Sequence, residues 1–210
     1  LSLRRQRQMC IRDSSNIPFE YHSKIRSEEA CLKSTKKIIE LAKETNARLH
    51  VFHLSTKVES LLFQNDIPLE KKKITSEVCV HHLWFSDKDY KDKQSFIKWN
   101  PAIKTDNDRE GLWNALLDDR IDVIATDHAP HTLEEKSKPY LDCPSGGPLV
   151  QHALVSMIQH HLNNKISLQK IVTKMCHNPA ILFQIKKRGY IRKGYYADSV
   201  SYTHLRAHET

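Results

Sequence analysis

No apolar run in the 210 residues approaches the length of a membrane span. The N-terminus is basic but lacks the apolar stretch of a secretory signal. No Cys-x-x-Cys pair occurs: Cys10, Cys31, Cys79, Cys143 and Cys176 stand far apart. That spacing argues against a zinc ribbon or a disulfide scaffold and fits a reducing, cytoplasmic setting. Internal repeats and low-complexity linkers are absent as well. The formal charge is +8, but Arg4, Arg5, Arg7 and Arg12 against Asp13 hold +3 of it. Lys71, Lys72 and Lys73 form one short run, and no interleaving of basic and aromatic residues accompanies it. Neither a nucleic-acid partner nor a membrane is therefore expected. With 39% hydrophobic and 28% charged residues, the length suits one domain with a real core, or part of a larger one.

The most informative stretch is residues 122–131, Asp-Val-Ile-Ala-Thr-Asp-His-Ala-Pro-His. An apolar run, Val123 to Ala125, ends in Asp127, with His128 and His131 close behind. It reads as a buried parallel strand delivering polar groups at its C-terminal end. Parallel α/β folds place their sites at that end. Asp and His supply the oxygen ligand, nitrogen ligand and proton carrier of metal-assisted hydrolysis. The competing reading makes Asp127 a cap of the next turn.

Ser27 to Thr45 reads as a helix, with Ser27 as N-cap and Ala30, Ile38, Leu41 and Ala42 as its apolar stripe. Arg48–Leu54 reads as a strand, with His53 near its end and a helix from Ser55 or Thr56 to about Gln64 behind it. Ile74–Leu83 and Ile121–Thr126 read as further strands, with a helix over Asp106–Leu117 between them. Residues 84–105 and 127–147 read mostly as loop. Helices are expected at about 148–163, 167–176 and 179–184, and Lys187–Ala197 is strand-like. Strand–helix–strand alternation means βαβ units and a parallel sheet. Three strands cannot close a barrel, so the sheet is open or belongs to a larger one.

Polar clusters follow the three strands: His53, then His81 and His82, then Asp127 with His128 and His131. A catalytic zinc takes about three protein ligands and a water, and a neighbouring carboxylate can carry that water's proton. His53, between Phe52 and Leu54, reads equally well as a core histidine. His81 and His82, adjacent on a strand, would face opposite ways, which favours a supporting role. Asn100 before Pro101 reads as a turn, His131 as a cap near Thr132, and Glu134–Lys136 as an exposed charged turn.

Seven strings occur in order: LHVFHLST (49–56), ITSEVCVHHL (74–83), KWNPAIK (98–104), DREGLWNAL (108–116), IDVIATDHAPHTLEEK (121–136), PSGGP (144–148) and HNPA (177–180). Together they resemble the C-terminal half of the dihydroorotase family, zinc-dependent cyclic amidohydrolases of the amidohydrolase superfamily. The resemblance implies an α/β fold: the C-terminal portion of a (β/α)8 TIM barrel over 15–185, about strands six to eight, then the start of a small β segment at 186–198. It implies reversible hydrolysis of dihydroorotate to N-carbamoyl-aspartate in pyrimidine biosynthesis. His53 would be a zinc ligand, and Asp127 both a zinc ligand and the catalytic acid/base. Asn100 and His131 would hold the substrate, His131 at its carboxylate. Ser145 and Gly146 match the loop that contacts the ring, where the family often carries a larger residue at the Ser145 position. Zn2+, two per site in the intact parent, would be the cofactor. Besides the small-molecule substrate, the implied partners are a second copy or aspartate transcarbamoylase. Allantoinases and hydantoinases are similar but tend to carry a Ser-Asp-His variant; they are the alternative enzymes. A non-catalytic dihydroorotase-like scaffold is the rival of another class.

The family's His-x-His pair, bridging carboxylate or carboxylated lysine, and fifth-strand histidine do not occur here. His22 matches a stretch after that histidine and is no replacement. One His and one Asp are too few to retain a catalytic zinc, so the chain alone is expected to be inactive. Open sheet edges make it prone to aggregation. Residues 1–14 and 199–210 are expected to match nothing in the family and to be foreign or disordered tails.

Overall fold

The computed structural model describes residues 17–198, and both expected tails lie outside that range. In chain order come α1 (His22–Ile25), α2 (Glu28–Glu44), β1 (Leu49–Val51), α3 (Lys57–Ser60), β2 (Ile74–Cys79), α4 (Val80–Trp84), α5 (Tyr90–Lys93), α6 (Asp106–Leu117) and β3 (Val123–Ala125). They are followed by α7 (Leu133–Lys136), α8 (Ala153–Leu162), α9 (Leu168–Val172) and α10 (Asn178–Leu182). The strands form one parallel sheet in the order β1-β2-β3. Val51 pairs with Ser76, and Cys79 with Ala125. The α/β class and parallel sheet expected from the alternation are present. No helix among the described residues is long and apolar enough to cross a membrane.

The central strand is buried on both faces, with Ser76, Val78 and Cys79 fully covered. Val78, Leu83, Leu112, Trp113, Leu116, Ile124 and Met157 belong to the main core between the sheet and its helices. The base of β3 is fixed by polar contacts. Asp122 pairs with Lys72 at 2.7 Å and accepts from the Ser76 N–H at 3.0 Å. Asn178 of the HNPA string donates to the Asp122 carbonyl at 2.6 Å. These contacts anchor the end of β3 opposite Asp127.

Several details differ from the sequence reading. On α2, Ser27 caps as expected, accepting from the Ala30 N–H at 3.3 Å. The buried residues, however, are Thr35, Ile39 and Ala42, while Ala30, Ile38 and Leu41 are exposed. β2 stops at Cys79 and the chain turns into α4. A strand would alternate its faces; the helical turn instead buries Val80, His81, His82 and Leu83 together. Trp113 Nε1 secures this turn by donating to the Leu83 carbonyl at 3.0 Å. Residues 84–105 are more than loop, since Tyr90, Ile97, Trp99 and Ile103 form a second core cluster. Residues 186–198 contain turns and no strand. Gly189 and Gly194 take φ of 78° and 84°, which breaks any extended run, and Tyr190 stacks on His177 rather than standing in a sheet. The expected C-terminal β segment is therefore not formed by them.

Candidate active site

Two residues beyond the ends of β1, β2 and β3 stand His53, His81 and Asp127. His53 has φ of 38° and Asp127 of 47°, left-handed backbone that non-glycine residues rarely adopt. Both are partly exposed. β1 and β3 are two strand spacings apart, about 10 Å, with β2 between them. Both neighbouring sites act on groups at the end of β2. Burial, His82 and His53 lower the pKa of His81, while burial, Glu77 and Asp127 raise that of Cys79.

A second group of residues gathers beside them. Asn100 Nδ2 donates to Ser145 Oγ at 3.0 Å, and His131 Nε2 donates to the Ser145 carbonyl at 3.2 Å. The Gly146 N–H donates to the Lys98 carbonyl at 2.9 Å. Gly146 has φ of 129°, and a Cβ there would stand 2.7 Å from both Cβ and O of Ala129. Glycine is what lets the 143–147 loop lie against the segment after Asp127. Two buried lysines hold the loop from below. Lys98 Nζ donates to the Tyr140 and Cys143 carbonyls. Lys136 Nζ reaches those of Pro144 and Gly146 at 3.1 and 3.0 Å. Lys136 is thus buried rather than part of an exposed turn. Thr132, not His131, caps α7.

Asn100 stands between two clefts. One, of about 440 Å3, is lined by His22, Arg26, Lys98, Tyr140 and Ser145. The other, of about 420 Å3, is lined by Arg26, Phe52, His53 and Pro101. Asn100 and Arg26 line both. His22 has a structural role: Nε2 donates to the Trp99 carbonyl at 2.7 Å, and Nδ1 accepts from the Tyr140 hydroxyl at 2.7 Å.

The amidohydrolase family profile matches residues 23–205. The chain belongs to the amidohydrolase family. A dihydroorotase of Latilactobacillus sakei subsp. sakei (strain 23K) is 39% identical over 162 residues, covering 76% of this chain and 37% of that protein. A dihydroorotase of Carboxydothermus hydrogenoformans is 40% identical over 164 residues, with the same coverages. The chain thus spans well under half the length of these curated relatives. Among solved structures, an L-hydantoinase (dihydropyrimidinase) from Arthrobacter aurescens superposes with a TM-score of 0.80 at 21% identity, covering 93% of this chain and 44% of that one. A Saccharomyces cerevisiae dihydroorotase in complex with 5-fluoroorotic acid gives 0.66 at 19% identity, covering 77% and 44%. At such identities the likeness concerns the fold.

Members of this family generally use a metal such as zinc. His53 and Asp127 offer the right donor types, nitrogen and oxygen, but only two of about three that a catalytic zinc takes. Among the described residues, the set of three His, Cys, Asp or Glu donors close enough to share an ion is Cys79, His81 and His82, without either of them. The described part of this amidohydrolase chain therefore does not by itself make a complete catalytic centre. Sequence reasoning missed Arg26, whose place in both clefts leaves no local signal. It also missed the convergence of Cys79 with the two histidines, because a strand through Leu83 would have pointed His82 away from Cys79 and His81.

Proposed function

We propose that the full-length protein containing this chain hydrolyses the ring amide of dihydroorotate, reversibly, to N-carbamoyl-aspartate. The carrying observation is the meeting of Asn100, His131, Ser145 and Gly146 in one loop cluster beside the end of the Asp127 strand. In this reading β1, β2 and β3 are strands six to eight of a (β/α)8 barrel, whose C-terminal face carries the site. His53 and Asp127 would be two of the zinc ligands in a complete site, where bound zinc would supply a hydroxide at neutral pH.

Asp127 would hold the proton of the attacking water and pass it to the leaving ring nitrogen, so one carboxylate would serve both halves of the reaction. Asn100 and the backbone of Ser145 and Gly146 orient the ring. Arg26, which lines both clefts beside Asn100, would face the substrate's carboxylate with guanidinium N–H donors. His131, whose Nε2–H is given to the Ser145 carbonyl, would join it through Nδ1 only as an imidazolium. Hydantoin and dihydrouracil carry no such carboxylate, so this positive end favours dihydroorotate over them.

A substrate panel on the full-length enzyme tests the reading. Dihydroorotate is expected to exceed dihydrouracil, hydantoin and allantoin in kcat/KM by at least about 100-fold, roughly 2.7 kcal/mol of differential transition-state binding. Equal or reversed ratios would assign a hydantoinase or allantoinase. No turnover of any of them by the zinc-loaded protein would favour the non-catalytic scaffold.

A further inference from the structure

Cys79 Sγ and the ring nitrogens of His81 and His82 offer three donor atoms that all lie within 4.8 Å of one another. All three side chains are buried, His81 to 1% exposure and His82 to 2%. Neither nitrogen of His81 has a hydrogen-bond partner, nor has His82 Nδ1. His82 Nε2 is engaged, donating to the Pro101 carbonyl at 3.2 Å. The His81 ring stacks on Trp99, centroids 4.4 Å apart, which fixes its plane but satisfies no nitrogen. Buried polar atoms are normally paired, and an orphan carries its full desolvation cost. Three orphan nitrogens beside one thiol have no account in packing alone.

We infer that Cys79, His81 and His82 form a site for one soft d10 cation, Zn2+ or Cu+, separate from the His53–Asp127 pair. Thiolate and neutral imidazole are the donors such ions prefer. Bonds of about 2.3 Å to sulfur and about 2.0 Å to nitrogen place the three ligand atoms of a trigonal ion about 3.5–3.7 Å apart. From separations within 4.8 Å, side-chain movements of about 1 Å close the set. On binding, the thiol releases its proton to solvent and the sulfur bonds the metal. Each imidazole coordinates through a ring lone pair and keeps the proton on its other nitrogen.

The surroundings agree with this chemistry. Burial holds both imidazoles well below their usual pKa, His82 at about 3, so both are neutral lone-pair donors at neutral pH. Burial also keeps the thiol protonated until a cation offsets the thiolate charge. Cu+ with one thiolate is neutral overall, which a buried site tolerates best. Zn2+ leaves one positive charge, and Glu77 and Asp127 are the anions that act on Cys79. An apolar cleft of about 580 Å3, lined by His81, Trp84, Phe85 and Trp99, borders the set on its His81 side.

The test is anaerobic Co2+ titration of the full 210-residue chain on a solubility tag, followed by displacement with Zn2+ or Cu+. One equivalent of Co2+ is expected to give a near-ultraviolet sulfur-to-cobalt charge-transfer band. Cys79→Ser should abolish it, and His81→Asn should weaken binding at least about tenfold. The double variant His53→Ala, Asp127→Asn should leave it intact, because neither residue brings sulfur. Zn2+ or Cu+ should bleach the band, and whichever does so at one equivalent is the preferred ion. Absence of the band from the unsubstituted chain, its survival in Cys79→Ser, or its loss in the double variant would overturn the proposal. Circular dichroism of each variant is read alongside; if Cys79→Ser unfolds, His81→Asn decides.

Discussion

His53 and Asp127 occupy equivalent places: each stands two residues beyond its parallel strand, on left-handed backbone, and the two strands flank the same central one. Backbone strain of this kind, on the order of 1–3 kcal/mol per residue, persists where the surroundings hold it, and it gathers at functional sites. Here it stands just past the ends of both strands, at the rim of the sheet where a site in a parallel α/β fold lies.

Asp127→Asn in the full-length enzyme keeps the side chain's shape but removes its charge and its proton capacity. Turnover of dihydroorotate should fall by about 10²–10⁴-fold, the usual reach of acid–base catalysis. Near-normal kcat would remove Asp127 from the catalytic role.

Arg26→Met takes away the positive charge shared by the two clefts. The expected result is a KM for dihydroorotate raised by roughly tenfold, about 1.4 kcal/mol, with kcat little changed. If kcat fell and KM held, Arg26 would act on the transition state rather than on substrate binding.

Gly146→Ala puts a Cβ 2.7 Å from backbone and side chain of Ala129, at a φ that L-residues avoid. A loss of roughly 2 kcal/mol in stability is expected, with a raised KM as the loop shifts away from His131. Lys136→Met should act on the same loop differently, because it leaves the Pro144 and Gly146 carbonyls without their donor. Its cost should be about 1–3 kcal/mol with normal loop geometry. Chemical denaturation of both variants gives the two costs.

His22 sets a pH dependence. Burial, with Lys98, Lys104 and Arg26 nearby, lowers its pKa from 6.5 to about 4, against the raising effect of its bond to the Trp99 carbonyl. Above pH 6.5 both folded and unfolded chains leave it neutral, and the full stability is present. Between 6.5 and 4 only the unfolded chain takes the proton, so stability falls with pH, by roughly 3 kcal/mol at completion. Unfolding of the full-length enzyme at a series of pH values should show this slope, and His22→Gln should flatten it. Parallel curves for the two proteins would contradict the assignment.

The untagged 210-residue chain with added Zn2+ should show no dihydroorotate hydrolysis, since its described residues bring two donors to a centre that needs about three. Turnover abolished by Asp127→Asn would show that it completes the site unaided. Association rising with concentration is also expected, because Phe52, Phe96 and Val150 are each more than half exposed.

Local sequence determined the elements with strong caps and clear periods. Ser27 and Thr105 begin their helices where a side-chain oxygen can accept from the first free N–H. Val123–Ala125, short, apolar and rich in β-branched residues within the strand–helix alternation, reads as a buried strand and forms one. The ordered strings marked His53, Asp127, Asn100, His131, Ser145 and Gly146, although they lie up to 93 positions apart in the chain. What only tertiary structure decided is what depends on partners distant in sequence. Val80–Leu83 form a helical turn that buries all four residues, with Leu83 held by Trp113 and His81 stacked on Trp99, both partners distant in sequence. Lys98 and Lys136 went inside because loop carbonyls were waiting for donors. Residues 186–198 stayed out of the sheet because strand pairing needs a neighbouring strand, and among the described residues none stands beside them.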